Sequence, residues 1–367
     1  MKKTLFDVTD IHEESRFMSI PQYKIRLLES FDETERRVIV LLANKDNSSY
    51  IKKILPTFDI LEIASNDNKW CKIPIVRHFR KSYIYSKTVN NSGCSSIFIA
   101  SDLPFYSKGK VRLKKIQVVH DLKEIKQGKI KDRIRRYIEH AITYSNSDLI
   151  IPISKYTRND LLRLFPLIDK NKIKVIYNSI NNIKGVKKPT FLIPSSYILW
   201  VNTAIEYKNV MTFLKAYNSI KNIEQEIVIV SKEFPYWKDI CIPFIKHAGI
   251  DDKVHIVSDI SDEELRYLYE KADLFVTCST HEGFGYTPIE AAIYKCPVIS
   301  TRCEALADTT QNKLYYYEHP FNYNELADKI QFVLKNRPNY KQLEEISVFF
   351  KKKYNIKTQK SKIFNLF

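Results

Sequence analysis

Residues 272 to 292 decide the reading of this chain: Ala272-Asp273-Leu274-Phe275-Val276-Thr277, then Cys278-Ser279-Thr280-His281-Glu282-Gly283-Phe284-Gly285-Tyr286, then Thr287-Pro288-Ile289-Glu290-Ala291-Ala292. The order is an apolar strand, a glycine turn and a helix. Gly283 and Gly285 let backbone approach a ligand closely. Thr287 suits a helix N-cap, and Pro288 the first helical position, where its missing N–H costs nothing. The unpaired N–H groups and positive dipole of such a helix start form an anion site that fits a diphosphate.

Around this stretch the chain alternates strands and helices. Strand candidates in the first half are 37–43, 96–100, 115–120, 148–154 and 173–177, with helical stretches such as 21–30 and 130–144 among them. The second half repeats the pattern, with strands at 197–202, 226–230, 253–257, 273–277 and 297–301 and helices at 208–220, 262–271 and 288–295. Such alternation predicts parallel sheets covered on both faces. Two series predict two doubly wound domains, parted near Lys184-Gly185-Val186-Lys187-Lys188-Pro189. The expected division is 1–185, 186–345 and a helical tail 346–367 that packs back on the first domain.

Composition bounds the rest. The chain has 367 residues, 44% of them hydrophobic, enough to fill two ordinary cores. No run approaches the roughly 20 apolar residues of a membrane span, and no secretory signal is visible. The cysteines, Cys71, Cys94, Cys241, Cys278, Cys296 and Cys303, form no C-x-x-C pair. They read as reduced thiols, so a cytoplasmic protein is expected. The net charge of +17 calls for an anionic partner or reflects a solvated basic surface.

Two carboxylates frame the glycine turn, Glu282 before it and Glu290 eight positions on. A carboxylate suits paired sugar hydroxyls, since it accepts two hydrogen bonds. Each also has a plainer reading. Thr287-x-x-Glu290 fits a capping box, and Glu282 a solvated loop charge. A glycosidase also needs two carboxylates, but flanking a glycosidic bond; one carboxylate down the helix behind a glycine turn suits a nucleotide better.

The segment resembles the E-x7-E signature of family 4 of the retaining glycosyltransferases, written E-G-F-G-x-x-x-x-E-A. Cys296-Pro297-Val298-Ile299-Ser300 continues the likeness. Tyr197–Thr203 with Tyr207-Lys208-Asn209, Ile151–Arg158, Val118-Val119-His120-Asp121-Leu122 and Ile173–Ile180 resemble further segments of that family. The resemblance runs from about residue 115 to 336. It implies a GT-B fold: two Rossmann-like, doubly wound parallel-sheet domains facing across a cleft. It also implies transfer of a sugar from a nucleotide-diphosphate sugar with retention, in surface-polysaccharide or lipopolysaccharide biosynthesis.

In that likeness Glu282 contacts the sugar and Glu290 the ribose hydroxyls. Lys208 neutralises the leaving diphosphate, helped by the backbone of Gly283, Phe284, Gly285, Tyr286 and Thr287 and by Thr203. His120 serves the sugar and acceptor; by residue type alone it would be a core or capping histidine. The chain departs from the family at Asn202 and Ser179, and its Met18–Gln22 loop has no glycine. Segments near Ser231 and Ser258 are expected at the base. No D-x-D pair occurs, so no metal is expected. A glycan or lipid-linked acceptor is expected.

The stretch 107–137 is dense in Lys and Arg, from Lys108 and Lys110 to Arg135 and Arg136, with Ile125, Ile130, Ile134, Tyr137 and Ile138 between. One reading is a helix whose isoleucines face the domain core. The other is docking on an anionic membrane surface, which would make the protein peripheral on the inner face. Three other readings stay open: a degenerate GT-B protein that binds without turnover, a basic nucleic-acid-binding protein, and a GT-B-like sugar-nucleotide epimerase that acts on the donor with no acceptor. No nucleic-acid module is seen, so no nucleic acid is expected.

Overall fold

The computed structural model describes residues 2–15, 18–64, 74–101, 111–232 and 234–367. The chain divides into two units. One comprises Met1–Asn178 with Ile356–Phe367, the other Ser179–Asn355. The division thus falls a few residues before Lys184-Gly185. The helix Tyr340–Lys353 stays with the second unit, and the returning segment begins at Ile356.

Among the described residues the first unit holds six strands: β1 (Thr4–Asp7), β2 (Ile39–Asn44), β3 (Asp59–Ile63), β4 (Ser96–Ile99), β5 (Lys114–Val119) and β6 (Leu149–Pro152). They pair in parallel in the order β3-β2-β1-β4-β5-β6. The second unit holds β7 (Tyr197–Val201), β8 (Glu226–Val230), β9 (Val254–Val257), β10 (Leu274–Val276), β11 (Val298–Ser300) and β12 (Tyr315–Tyr316). Their order, β12-β11-β10-β7-β8-β9, is the same doubly wound pattern. In each sheet the order of strand addition therefore reverses at one point, between β1 and β4 and between β7 and β10.

The central strands are short apolar runs because helices cover both faces. In the second unit Ile198, Trp200, Ile227, Ile229, Leu274, Val276 and Ile299 pack with Val210, Phe213 and Leu214 of the helix Val210–Ser219. In the first, Leu5, Leu42, Ile97 and Ile99 pack with Tyr85 and Val89. The terminal helix Ile356–Phe364 is held to that unit by Lys360, whose ammonium lies 2.7 Å from Glu35, and by Phe364 and Phe367 against Phe31.

Sequence reading missed β1, β3 and the two-residue edge strand β12. β1 is only four residues and ends on Asp7, a poor strand former. Asp7 is tolerated in the core because Tyr85 Oη and Thr9 Oγ1 each donate to its carboxyl at 2.6 Å. Burial nonetheless pushes its pKa up. β3 is an edge strand with exposed positions. Residues 173–177 form no strand; Ile173 makes one parallel bridge to Ile150.

Candidate active site

In the second unit the loops after β7 and β10 lie at the point where the sheet reverses, the usual ligand position in open parallel sheets. β10 ends at Val276, and the chain turns through Thr280–Gly285 into the helix Tyr286–Ile293. Gly285 has φ 82°, and a Cβ there would lie 2.3 Å from Leu306 Cδ2. The conformation therefore demands glycine, and any side chain would also have to displace the Leu306 methyl.

The helix start differs from the expected one. Gly285 is the N-cap, Tyr286 the first helical residue, and Thr287 lies inside the first turn without capping it. A left-handed glycine lets the chain enter the helix two residues earlier than a Thr287 cap would. Pro288 is third, still among the positions whose N–H has no intrahelical partner. The Thr287–Glu290 capping box accordingly does not form. Glu290 Oε2 instead accepts from Tyr269 Oη at 3.3 Å. Tyr269 is fully buried. Burial first, then the Glu290 charge, holds its hydroxyl well above the usual range, so it remains a neutral donor.

Lys208 closes a single 3₁₀ turn, Glu206–Lys208, after β7. The next residue, Asn209, has φ 56° and opens the helix Val210–Ser219. Its buried amide donates to Pro320 O at 2.8 Å and accepts from Thr212 Oγ1 at 2.9 Å. From that anchored turn the Lys208 ammonium reaches Glu282 Oε1 at 2.6 Å. It also lies 5.2 Å from the Tyr207 ring centroid. Tyr207 O accepts both the N–H and the hydroxyl of Thr280, at 2.9 and 3.1 Å, so the two loops are tied together.

Thr203 donates its N–H to Asn202 Oδ1 at 3.1 Å, and Ala204 N–H donates to Ser231 Oγ at 3.0 Å. Ser231 thus joins this loop, whereas Ser258 bonds its neighbour Asp259. Sequence reading quoted Tyr207 beside Lys208 without giving it a role, and it missed Glu304. Oε2 of Glu304 accepts the Glu282 N–H at 3.1 Å. A glutamate carries no sequence signal for the left-handed φ of 49° it adopts. Among the described residues, no group of three or more His, Cys, Asp or Glu side chains could hold a metal ion.

His120 belongs to the first unit, just beyond β5 and near the point where that sheet reverses. Its Nε2 lies 3.0 Å from Ala100 O. A carbonyl only accepts, so Nε2 carries the proton and Nδ1 is the ring's acceptor. The Tyr23 ring meets it edge-on at 5.0 Å. Burial pushes its pKa down to about 4, opposed by the hydrogen bond to Ala100 O, by Asp121 and by Asp10, with Lys24 acting with burial. Lys24 is itself buried, ion-paired with Asp10 and donating to Ser101 Oγ at 3.1 Å.

The basic stretch is also in the first unit; Lys108, Lys110 and Cys71 lie outside the described residues. Ile125 is buried, but Ile130, Ile134, Tyr137 and Ile138 are 64, 55, 41 and 52% exposed. The core-facing reading therefore fails beyond Ile125. The helix Ile130–Ser145 has its buried residues, His140, Thr143 and Tyr144, only in its last turns. No described helix is long and apolar enough to cross a membrane. The described cysteines are free thiols.

Residues 187–347 match the family described as Glycosyl transferases group 1, a span that takes in Lys208, Glu282 and Glu290 and leaves out His120. The O-antigen chain mannosyltransferase RfbU of Salmonella typhimurium is 30% identical over 161 residues, 44% of this chain and 44% of that protein. O-antigen chain mannosyltransferase B of Escherichia coli is 24% identical over 191 residues, 48% of this chain and 50% of that one. The matches thus span about half the length of these curated relatives.

Among solved structures, Anabaena Alr3699/HepE in complex with UDP and glucose has a TM-score of 0.76 at 12% identity, over 100% of this chain and 99% of that one. WaaG, a glycosyltransferase involved in lipopolysaccharide biosynthesis, has a TM-score of 0.71 at 12% identity, over 99% of each chain. Two six-stranded parallel sheets and these neighbours make the fold GT-B.

Proposed function

We propose that this chain is a retaining glycosyltransferase of the family 4 type. It would move a sugar from a nucleotide-diphosphate sugar to a glycan or lipid-linked acceptor of a surface polysaccharide or lipopolysaccharide, without a metal. The observation that carries this reading is the Lys208–Glu282 pair beside the glycine turn, where the sheet of the second unit reverses. Breaking the bond between the sugar's reacting carbon and the diphosphate oxygen builds negative charge on the leaving group. Fixed donors aimed at that oxygen lower the barrier. Lys208 and the N–H groups from Gly283 to Thr287 would supply such donors without a metal ion. Thr203 borders the same loop. Glu282 binds sugar hydroxyls and Glu290 the ribose.

In same-face attack the acceptor hydroxyl oxygen bonds the reacting carbon as the phosphate leaves. Its proton passes to the departing phosphate oxygen, so no protein nucleophile is required. In the first unit the neutral His120 ring is assigned to the acceptor. The O-antigen mannosyltransferases among the relatives make a mannose donor the first to test.

The test is a thermal-shift screen against UDP, GDP, dTDP, ADP and CMP with EDTA present, followed by transfer assays with the matching nucleotide sugars. We expect one diphosphate to raise the melting temperature and its sugar to be transferred with retained anomeric configuration. An inverted product, or turnover that EDTA abolishes, would refute the corresponding part of the reading.

An anionic lipid surface fits the helix Ile130–Ser145. At about 3.6 residues per turn, Ile130, Ile134, Tyr137 and Ile138 share one face. Lys131, Arg133 and Arg135 flank it, Lys129 is the helix N-cap residue, and Asp132, Arg136 and Glu139 lie opposite. Apolar residues between cations are what an interfacial helix presents, with each cation near an anionic surface contributing about 1 kcal/mol. The enzyme would then work peripherally on the inner membrane face. Cosedimentation with vesicles should require anionic lipid and should fail for an Ile134→Glu, Ile138→Glu variant. Binding to purely zwitterionic vesicles, or to none, would count against it.

A further inference from the structure

Glu304 stands where the chain would rather have glycine. Its φ of 49° and ψ of −122° are close to those of the first central residue of a type II′ turn, where a Cβ is crowded. A residue in such a region persists only where its neighbours over-determine it. Here the neighbour is the glycine-turn loop. The Glu304 carboxylate accepts the Glu282 N–H at 3.1 Å, and Ala305 N–H donates to Glu282 O at 3.2 Å. Both main-chain groups of Glu282 are therefore gripped by consecutive residues.

The same segment touches the loop twice more. Thr309 Oγ1 donates to Phe284 O at 2.6 Å, and Leu306 fills the space beside Gly285. From the other side Tyr207 O holds Thr280. The Glu282 side chain thus extends from a backbone fixed on two sides. A carboxylate acceptor on an N–H is a charge-assisted bond, stronger than a neutral one. Glycine at 304 would relax the backbone but offer no side-chain acceptor.

We propose that Glu304 is a positioning residue for sugar transfer, holding the Glu282 main chain so that its carboxylate and its pair with Lys208 meet the donor in one geometry. The role rests on the reading of this site as a transfer centre.

Glu304→Ala, Glu304→Gly and Glu304→Gln, made in the full chain, test it by melting temperature, kcat and donor KM. Both Ala and Gly remove the acceptor, and only Gly relieves the backbone. We expect the Gly variant to melt above the Ala variant while both lose kcat by a similar factor, on the order of 10- to 100-fold for a sub-ångström displacement. Donor KM should change little. Gln keeps an acceptor oxygen and should restore kcat to within severalfold of wild type. A Gly variant with wild-type kcat overturns the proposal, as does kcat that recovers in step with stability. Absence of transfer by the wild-type chain from any nucleotide sugar overturns the transfer reading instead, and is established before any variant is made.

Discussion

Lys208 and Glu282 are 74 positions apart in sequence and form an ion pair 2.6 Å long in which each side chain is only 13% exposed. Charges so sheltered depend on each other. Removing one partner leaves the other poorly solvated, which in a fully buried pair costs about 3–5 kcal/mol. We expect Lys208→Met and Glu282→Gln each to destabilise the chain by about 1–3 kcal/mol, and the double variant to fall short of the sum. Urea denaturation of the three variants measures this. Strict additivity would mean that the pair contributes no coupling.

Much of this site was legible because its signals are local. Leu274–Val276 is an apolar run, Gly283 and Gly285 mark a turn, and Ile289–Ala292 continues as a helix, all within one short segment. What failed to show depends on contacts distant in sequence or on conformation. Thr287 is a good N-cap by type, but Gly285 turns the chain first. Nothing in the residue type of Glu304 announces a positive φ. The period of Ile130, Ile134 and Ile138 reveals a shared face and is silent on whether core or solvent lies opposite it. β1 escaped notice because Asp7 looks like a strand breaker until Tyr85, 78 positions away, supplies a donor.

Glu290 separates nucleotide binding from fold support. It closes no capping box, so its loss removes no helix cap. If its carboxylate holds the ribose, Glu290→Ala should weaken nucleoside-diphosphate binding by about 10- to 100-fold, the worth of charge-assisted hydrogen bonds. The melting temperature should fall only modestly, through the Tyr269 hydroxyl that loses its acceptor. Calorimetric titration beside a melting curve decides between them. A large drop in melting temperature with intact affinity would assign Glu290 to the fold.

Gly285 allows a harsher test of the turn. An alanine there must hold φ near 82° and push Leu306 Cδ2 away from a 2.3 Å separation. We expect Gly285→Ala to lose about 1–3 kcal/mol and to weaken nucleotide binding, because the N–H groups of the helix start move with the turn. A variant with unchanged stability would show that the loop relaxes freely.

His120 makes the pH dependence of stability readable. Burial lowers its folded pKa from the ordinary 6.5 to about 4. Between those values the unfolded chain binds a proton that the folded chain does not, so protonation favours unfolding as pH falls. The His120 contribution to stability should therefore be complete above about pH 6.5, decline as pH drops toward about 4, and level off below. A shift of that size corresponds to about 3 kcal/mol at most. Urea denaturation from pH 4 to 7 should show this slope in the wild type, and His120→Asn should flatten it. Burial keeps the ring neutral from about pH 5 to 8, with Nδ1 as its acceptor, so the pH–rate profile of transfer should carry no imidazole step near 6.5. A rate that falls through pH 6.5 in the wild type and not in His120→Asn would show that the ring titrates in water-like surroundings, and would remove it from the neutral role.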